Sequence, residues 1–146
     1  MKNITLRNAK LDDSVMMYVW RNHESTRRTA FNHEPFTEQQ HKTWLKDVLK
    51  DSNRHLFVVE NNNTAVGVLR FDVEDNAAEI SIYLDPEKTR RGIGTQAIQI
   101  GCQWLKENCA NVKKIRAEIL KDNVVSQKVF AKMGFDLVYE VFEKEI

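Results

Sequence analysis

The chain has 146 residues, a formal net charge of +1 and 42% hydrophobic residues. That length predicts one domain, 1–146, with a real core, and the near-neutral balance gives no global field for nucleic acid or an anionic membrane. No apolar run approaches the ~20 residues of a membrane span, and Met1-Lys2-Asn3-Ile4-Thr5 lacks a signal-peptide core, so a cytoplasmic protein is expected.

Ile4 and Leu6 alternate with polar neighbours and predict a first strand over 3–8. Asp12 or Asp13 then caps a helix whose apolar face carries Val15, Met16, Val19 and Trp20. It ends at Trp20-Arg21-Asn22-His23. Trp20 follows the apolar period and reads as core. Arg21, Asn22 and His23 suit a core poorly; their guanidinium, amide and imidazole suit a polar, hydroxyl-rich or phosphorylated ligand. Residues 24–34 show no period and read as a loop, with Arg27 and Arg28 in it. Thr37 and Gln40 form a capping box, with Phe36 at the staple position, opening a helix that runs to Lys50. It buries Trp44, Leu45, Val48 and Leu49. His41 lies one turn before Trp44 and reads either as a packed histidine or as a ligand contact.

A meander follows. Strands are expected at Leu56 to Glu60, Thr64 to Val73 and Ala78 to Leu84, with turns at Asn61-Asn62-Asn63 and Glu74-Asp75-Asn76 and a bulge at Gly67. Short polar turns make these strands antiparallel. In the third, Ile80, Ile82 and Leu84 face one way and Glu79, Ser81 and Tyr83 the other. Asp85-Pro86 stops it, and a helical period begins at Ile93, with Ala97, Ile98, Gly101, Cys102 and Leu105 on its apolar side. Between them lies Lys88-Thr89-Arg90-Arg91-Gly92-Ile93-Gly94-Thr95. The glycines let backbone approach a ligand closely, the helix offers unpaired N–H groups, and Lys88, Arg90 and Arg91 add charge. Together these make a phosphate or pyrophosphate site. A Rossmann domain is disfavoured, since its glycine loop follows the first strand of a parallel unit and carries a third glycine.

Cys102 and Cys109 are seven residues apart in one predicted helix, about 10 Å along its axis, too far for a disulfide. They read as buried reduced thiols. Lys114 to Leu120 is a fifth strand. Asp122-Asn123 caps a short helix with Val125, Val129 and Met133 on one side, Gly134 closes it, and Phe135 opens a last strand. The strand-helix-strand connection makes the fifth strand parallel to the fourth, and the two splay to leave a slot. The expected fold is an α/β mixed sheet of about six strands and about four helices, an antiparallel meander followed by a parallel splayed pair. Only 12 residues follow Gly134, so the sheet ends in an open edge or is covered by the second subunit of a homodimer.

Two motifs carry a family resemblance. The strand, Arg-Arg-Gly-Ile-Gly-Thr and amphipathic helix resemble the acetyl-CoA pyrophosphate loop of the GNAT superfamily of N-acetyltransferases. Thr89 departs from the Gln or Arg usual at the first motif position, which leaves Arg90 or Arg91 to supply that charge. The segment from Asp122 to Phe135 resembles the second GNAT block. The resemblance implies acetyl-CoA as co-substrate, held by Leu84, Thr89, Arg90, Arg91, Gly92, Ile93, Gly94, Thr95, Asn123, Ser126 and Phe130. Phe130 stands where the family commonly has a tyrosine that protonates the leaving thiolate, so that role is empty or filled elsewhere.

The resemblance implies direct attack of a primary amine on the thioester, with no metal. Glu79 is the candidate base, with His23 and His41 as substitutes, and a backbone N–H near Tyr83 would polarise the carbonyl. Tyr83, Tyr139 or solvent would supply the acid. Trp20, Arg21, Asn22 and His41 are candidate acceptor contacts. The helix pair resembles two GNAT branches, one acting on nucleotide-linked amino sugars and one on ribosomal-protein N-termini. The sugar branch is favoured, and a non-catalytic acyl-CoA-binding module is the alternative of another class.

Overall fold

The computed structural model describes residues 3–89 and 92–146. One sheet has the order β1-β2-β3-β4-β5, from Ile4–Asn8, Arg54–Asn61, Thr64–Glu74, Ala77–Leu84 and Lys114–Arg116. The first four strands are antiparallel and β5 is parallel to β4. The turns behave as their residues require. Asn62, Asn63 and Asp75 take positive φ, a region that short polar side chains tolerate. Opposite β2 the register jumps from Gly67 to Ala65, so Val66 is the extra residue of a bulge beside the expected glycine. A Cβ on Gly67 would lie 2.7 Å from Leu84 Cδ2 and 2.8 Å from the Tyr83 carbonyl oxygen, so glycine lets β3 approach the end of β4.

Helices cover both faces of this sheet. α1 (Ser14–Asn22) and α3 (Glu38–Lys50) bury Met17, Trp20, Leu45 and Val48 against Leu56, Val58 and Val68. α4 (Ile93–Asn108) and α5 (Val124–Lys132) bury Ile93, Ala97, Ile98, Leu105 and Phe130 against Phe57, Leu69, Phe71 and Ile80. Trp20 is therefore a core residue. The α3 start forms as its residues dictate: Thr37 accepts the Gln40 N–H at 3.1 Å and Gln40 accepts the Thr37 N–H at 2.8 Å. Phe36 stacks on His41 at 5.7 Å, which closes the staple between N′ and N4.

Several expectations need correction. Val15 and Val19 on α1, Leu49 on α3 and Val125 on α5 are exposed and not part of the buried faces. Residues 24–34 are not all loop: α2 (Glu24–Arg28) is a single short helix. It has no apolar stripe to betray it, and is held by the His23 imidazole accepting the Ser25 N–H and by an exposed Glu24–Arg28 pair. The described residues thus hold five α-helices. Asp13 caps the 3₁₀ turn Leu11–Asp13 that leads into α1, accepting the Lys10 N–H at 2.8 Å, rather than α1 itself, and it also takes Arg7 in an ion pair of 2.8 Å. Cys102 and Cys109 are half-buried free thiols, and Cys109 lies just past the end of α4.

The sixth strand does not form. β5 pairs for three residues only, and residues 135–146 join no sheet. A lone strand cannot satisfy its own N–H and C=O groups, so an apolar alternation without a neighbouring edge stays solvated. Leu137 is 80% exposed and Phe142 87% exposed.

Candidate active site

β4 and β5 face each other at Ala77↔Lys114, Ala78↔Ile115 and Glu79↔Arg116. Beyond that pair β4 runs on to Leu84 while β5 has ended. The expected gap between parting strands is thus present, and Glu79 stands at its closed end. The Asp85 N–H donates to the Val66 carbonyl at 2.8 Å. Antiparallel alternation then assigns the odd residues of β4 to β3 and turns the N–H groups of Ile80, Ile82 and Leu84 toward the gap. The amides flanking Tyr83, rather than its own, are the donors available there.

The open end of the gap meets the start of α4. Gly92 is its N-cap at φ 82, a left-handed conformation that strains other residues. Among the described residues a Cβ on Gly94 would meet nothing within 4 Å, so none of them crowds the first turn there. Ile93 is buried in the core, leaving only its backbone to a ligand. Thr89 is exposed and Thr95 half-exposed. Lys88 is drawn to Asp85 at 3.7 Å. Arg90 and Arg91 lie outside the described residues. Asn123 accepts the Ser126 N–H at 3.2 Å and so caps α5. Phe130 is buried, edge-on to Phe135 at 5.0 Å, in the same core as Ile82 and Leu84. These residues fit an extended ligand with a diphosphate: free amides along a strand edge, then an uncapped helix N-terminus with room beside it.

Glu79 shares a sheet face with Ser81 and Tyr83, and on β3 it faces Asp72. Arg54 and Arg70 both hold Asp72, each at 3.1 Å. Burial, then Glu118 and Asp72, push the Glu79 carboxyl above the ordinary glutamate value. A cleft of about 540 Å³, lined in part by Arg54, Asp72, Glu79 and Arg116, opens beside it.

Further along that face, α1 and α3 build an aromatic and cationic cluster over Tyr83. The Arg21 guanidinium sits 5.6 Å from the Phe36 ring centre. His41 tilts against Trp44 at 5.4 Å, and Arg70 lies over Trp44 at 5.3 Å. Tyr18 packs edge-on to Phe36. Burial raises the Tyr83 hydroxyl pKa well above the ordinary phenol value, against the pull of Arg21 and Arg70, so it stays protonated and able to donate. Of the predicted acceptor contacts, Arg21 and His41 meet here. Asn22 accepts the Phe36 N–H at 3.2 Å and ties α1 to α3. His23 caps α2, Arg27 donates to the Asn22 and His33 carbonyls, and Arg28 pairs with Glu24. Tyr139 is exposed on the unpaired tail. Arg70, Phe36 and Trp44 join the cluster without being predicted site residues; Phe36 carried a sequence signal as a staple and Trp44 as a buried helix residue, and Arg70 carried none.

Among the described residues no helix is long and apolar enough to cross a membrane. The chain is similar to Acetyltransferase PseH of Campylobacter jejuni, 24% identical over 142 residues, spanning 96% of this chain and 86% of that protein. Its fold is similar to a domain from Methanocaldococcus jannaschii at a TM-score of 0.85, 24% identity, 98% of this chain and 94% of that one. It is also similar to the spermidine N-acetyltransferase of Vibrio cholerae, crystallised with CoA and spermine, at a TM-score of 0.86, 19% identity, 98% of this chain and 86% of that one. The acetyltransferase (GNAT) domain model matches residues 3–136, which takes in the parting strands and both helical layers, and the chain therefore belongs to the GNAT family of acetyl-CoA-dependent N-acetyltransferases.

Proposed function

We propose that this single domain moves an acetyl group onto the primary amine of a nucleotide-linked amino sugar, with Glu79 as base. The observation that carries the reading is the place where β4 and β5 part. Glu79 closes the gap, Leu84 and α4 open it, and Arg21, His41 and Tyr83 lie on the Glu79 face. Glu79 takes a proton from the acceptor ammonium. The freed amine then attacks the thioester carbonyl, the new C–N bond forms as the C–S bond breaks, and the amides of Ile82 or Leu84 receive charge growing on the oxygen. As the C–S bond breaks, the attached nitrogen releases its second proton to solvent, and the CoA thiolate takes one from solvent or from Tyr83, which solvent then reprotonates, since Phe130 has none to give.

The PseH similarity spans nearly the whole chain, in line with the sugar branch expected from the sequence. Two free, half-buried thiols fit a reducing cytoplasm. The exposed apolar tail fits a homodimer whose second subunit covers it. Measuring thiol release against a panel of amines tests the whole reading. Turnover with an amino-sugar nucleotide and none with a peptide N-terminus is the expected result. CoA binding without turnover on any amine would favour the binding-module reading, which the proton-less Phe130 supports.

A further inference from the structure

We propose that the acceptor carries an oxyanion, and that this group is seated between Arg21 and His41 in the aromatic cluster of α1 and α3. This rests on the transfer reading above and adds the chemistry of the acceptor. Arg21 is half-buried, and its Nη1 is enclosed with no hydrogen-bond partner. Among the described residues no carboxylate pairs with it; the charged and titratable groups that act on it are Tyr83 and Arg70. An enclosed guanidinium nitrogen without a partner is costly, and the Phe36 ring offers it no hydrogen bond, so a ligand oxygen is the partner it lacks. His41 is 4% exposed, and its Nδ1 is likewise enclosed and unpartnered. The two orphaned groups share one ring: Phe36 lies 5.6 Å from the Arg21 Cζ and 5.7 Å from the His41 ring centre.

The wider charge balance points the same way. Past Trp44, Arg54 and Arg70 both hold Asp72, with Glu79 opposite it, so those two cations have carboxylates beside them and Arg21 is the cation of the cluster left without one. A phosphate or carboxylate oxygen satisfies the enclosed Arg21 nitrogen in a charge-assisted bond and gives the imidazole a partner. A polycation such as spermine would meet excess positive charge. The structure thus assigns this chain to amines that bear a negative group, unlike the polyamine held by its Vibrio cholerae structural neighbour.

The test is imidazole NMR on the full chain, titrated with inorganic phosphate, acetate, glucosamine 6-phosphate and spermine, with CoA present and absent. The His41 resonance should shift saturably with glucosamine 6-phosphate and with at least one inorganic or carboxylate oxyanion. Arg21→Met should weaken that response tenfold or more, Arg21→Lys less, and Arg28→Met not at all. The tighter of phosphate and acetate identifies the anion source. A His41 signal that ignores every oxyanion, an Arg21→Met response equal to wild type, or spermine binding tighter than the phosphate ester would overturn the proposal. CoA binding is read separately by thermal shift. Loss of the oxyanion response with the CoA response intact strikes this proposal alone, whereas no CoA response in the wild type strikes the transfer reading.

Discussion

Glu79 and Arg116 are the last residues of β4 and β5 to face each other, and Asp72 faces Glu79 from β3. A carboxylate held between a second carboxylate and the end of a strand pair is desolvated and repelled at once, and both effects favour its protonated form. The acid limb of kcat/KM should therefore lie above the ~4.3 of an ordinary glutamate. Glu79→Gln should remove that limb and lower kcat roughly 10²- to 10⁴-fold. Initial rates from pH 4 to 9 decide this, and a variant with an unchanged profile would remove Glu79 from the chemistry.

The same displacement has a consequence for stability. The folded chain holds the Glu79 proton more tightly than the unfolded chain does. Its contribution is fully present below the unfolded value and is lost as pH rises through the raised folded value. Glu79→Gln cannot ionise, so it should melt higher than wild type at neutral pH, with the difference vanishing toward pH ~4 as the native carboxyl is protonated. Thermal melts at pH 4 and 7.5 check the sign; a variant that melts lower at neutral pH contradicts it.

Gly94 separates the needs of the fold from the needs of the ligand. Its missing Cβ would touch none of the described residues, and it sits in the first turn of α4, where alanine is the better helix former by up to ~1 kcal/mol. Gly94→Ala should melt at or slightly above the wild-type temperature and yet bind CoA at least several-fold more weakly, because the added methyl occupies the approach to the amides. Calorimetry and a melt on the same sample read both. Unchanged CoA affinity would mean that the diphosphate does not come close at this position.

These two sites differ in how far the sequence revealed them. The strand, glycine loop and helix around Gly92 were legible because their signal is local: a strand period, a stop at Asp85-Pro86, two glycines and a helical period lie in order along one stretch. The gap was legible because a crossover forces β5 parallel to β4. The Arg21–His41 cluster was legible only in part. Its rings come from α1, from α3 and from Phe36 just before α3, and its cations from α1, β2 and β3, so only folding brings Arg70 over Trp44. His23 and Asn22 show the opposite difficulty. Their polarity serves caps and ties, a use that local sequence does not separate from ligand binding. The missing sixth strand follows the same logic: alternation reports what a segment prefers, and pairing also needs an edge to receive it.

Thr37 couples helix stability to the acceptor cluster. Its hydroxyl caps the turn that holds His41 against Phe36. Thr37→Ala should cost about 1 kcal/mol, a fall in Tm of roughly 3–5 °C for a chain of this size. The damage should fall on one substrate, with the acceptor KM rising severalfold while CoA affinity holds, since α4 lies on the other face of the sheet. An equal loss for both substrates would mean that the cap supports the whole fold and not this cluster.

The tail makes the last prediction. Leu137, Val138, Tyr139, Val141 and Phe142 are all exposed, five large apolar side chains within six residues of chain, the kind of cluster that a partner surface usually covers. The same segment carries Asp136, Glu140, Glu143 and Glu145 against the single Lys144. The exposed side chains of β5 are Lys114 and Arg116, so a tail laid along the β5 edge of a second copy would bring acidic groups to basic ones and cover apolar side chains at once. Sedimentation equilibrium at micromolar concentration should give a dimer. Leu137→Asp and Phe142→Asp should each weaken it tenfold or more without altering CoA binding, because neither residue touches the gap. A wild-type chain that stays monomeric at ~100 µM, where even a weak pair of this kind would assemble, would show that the tail is simply solvated.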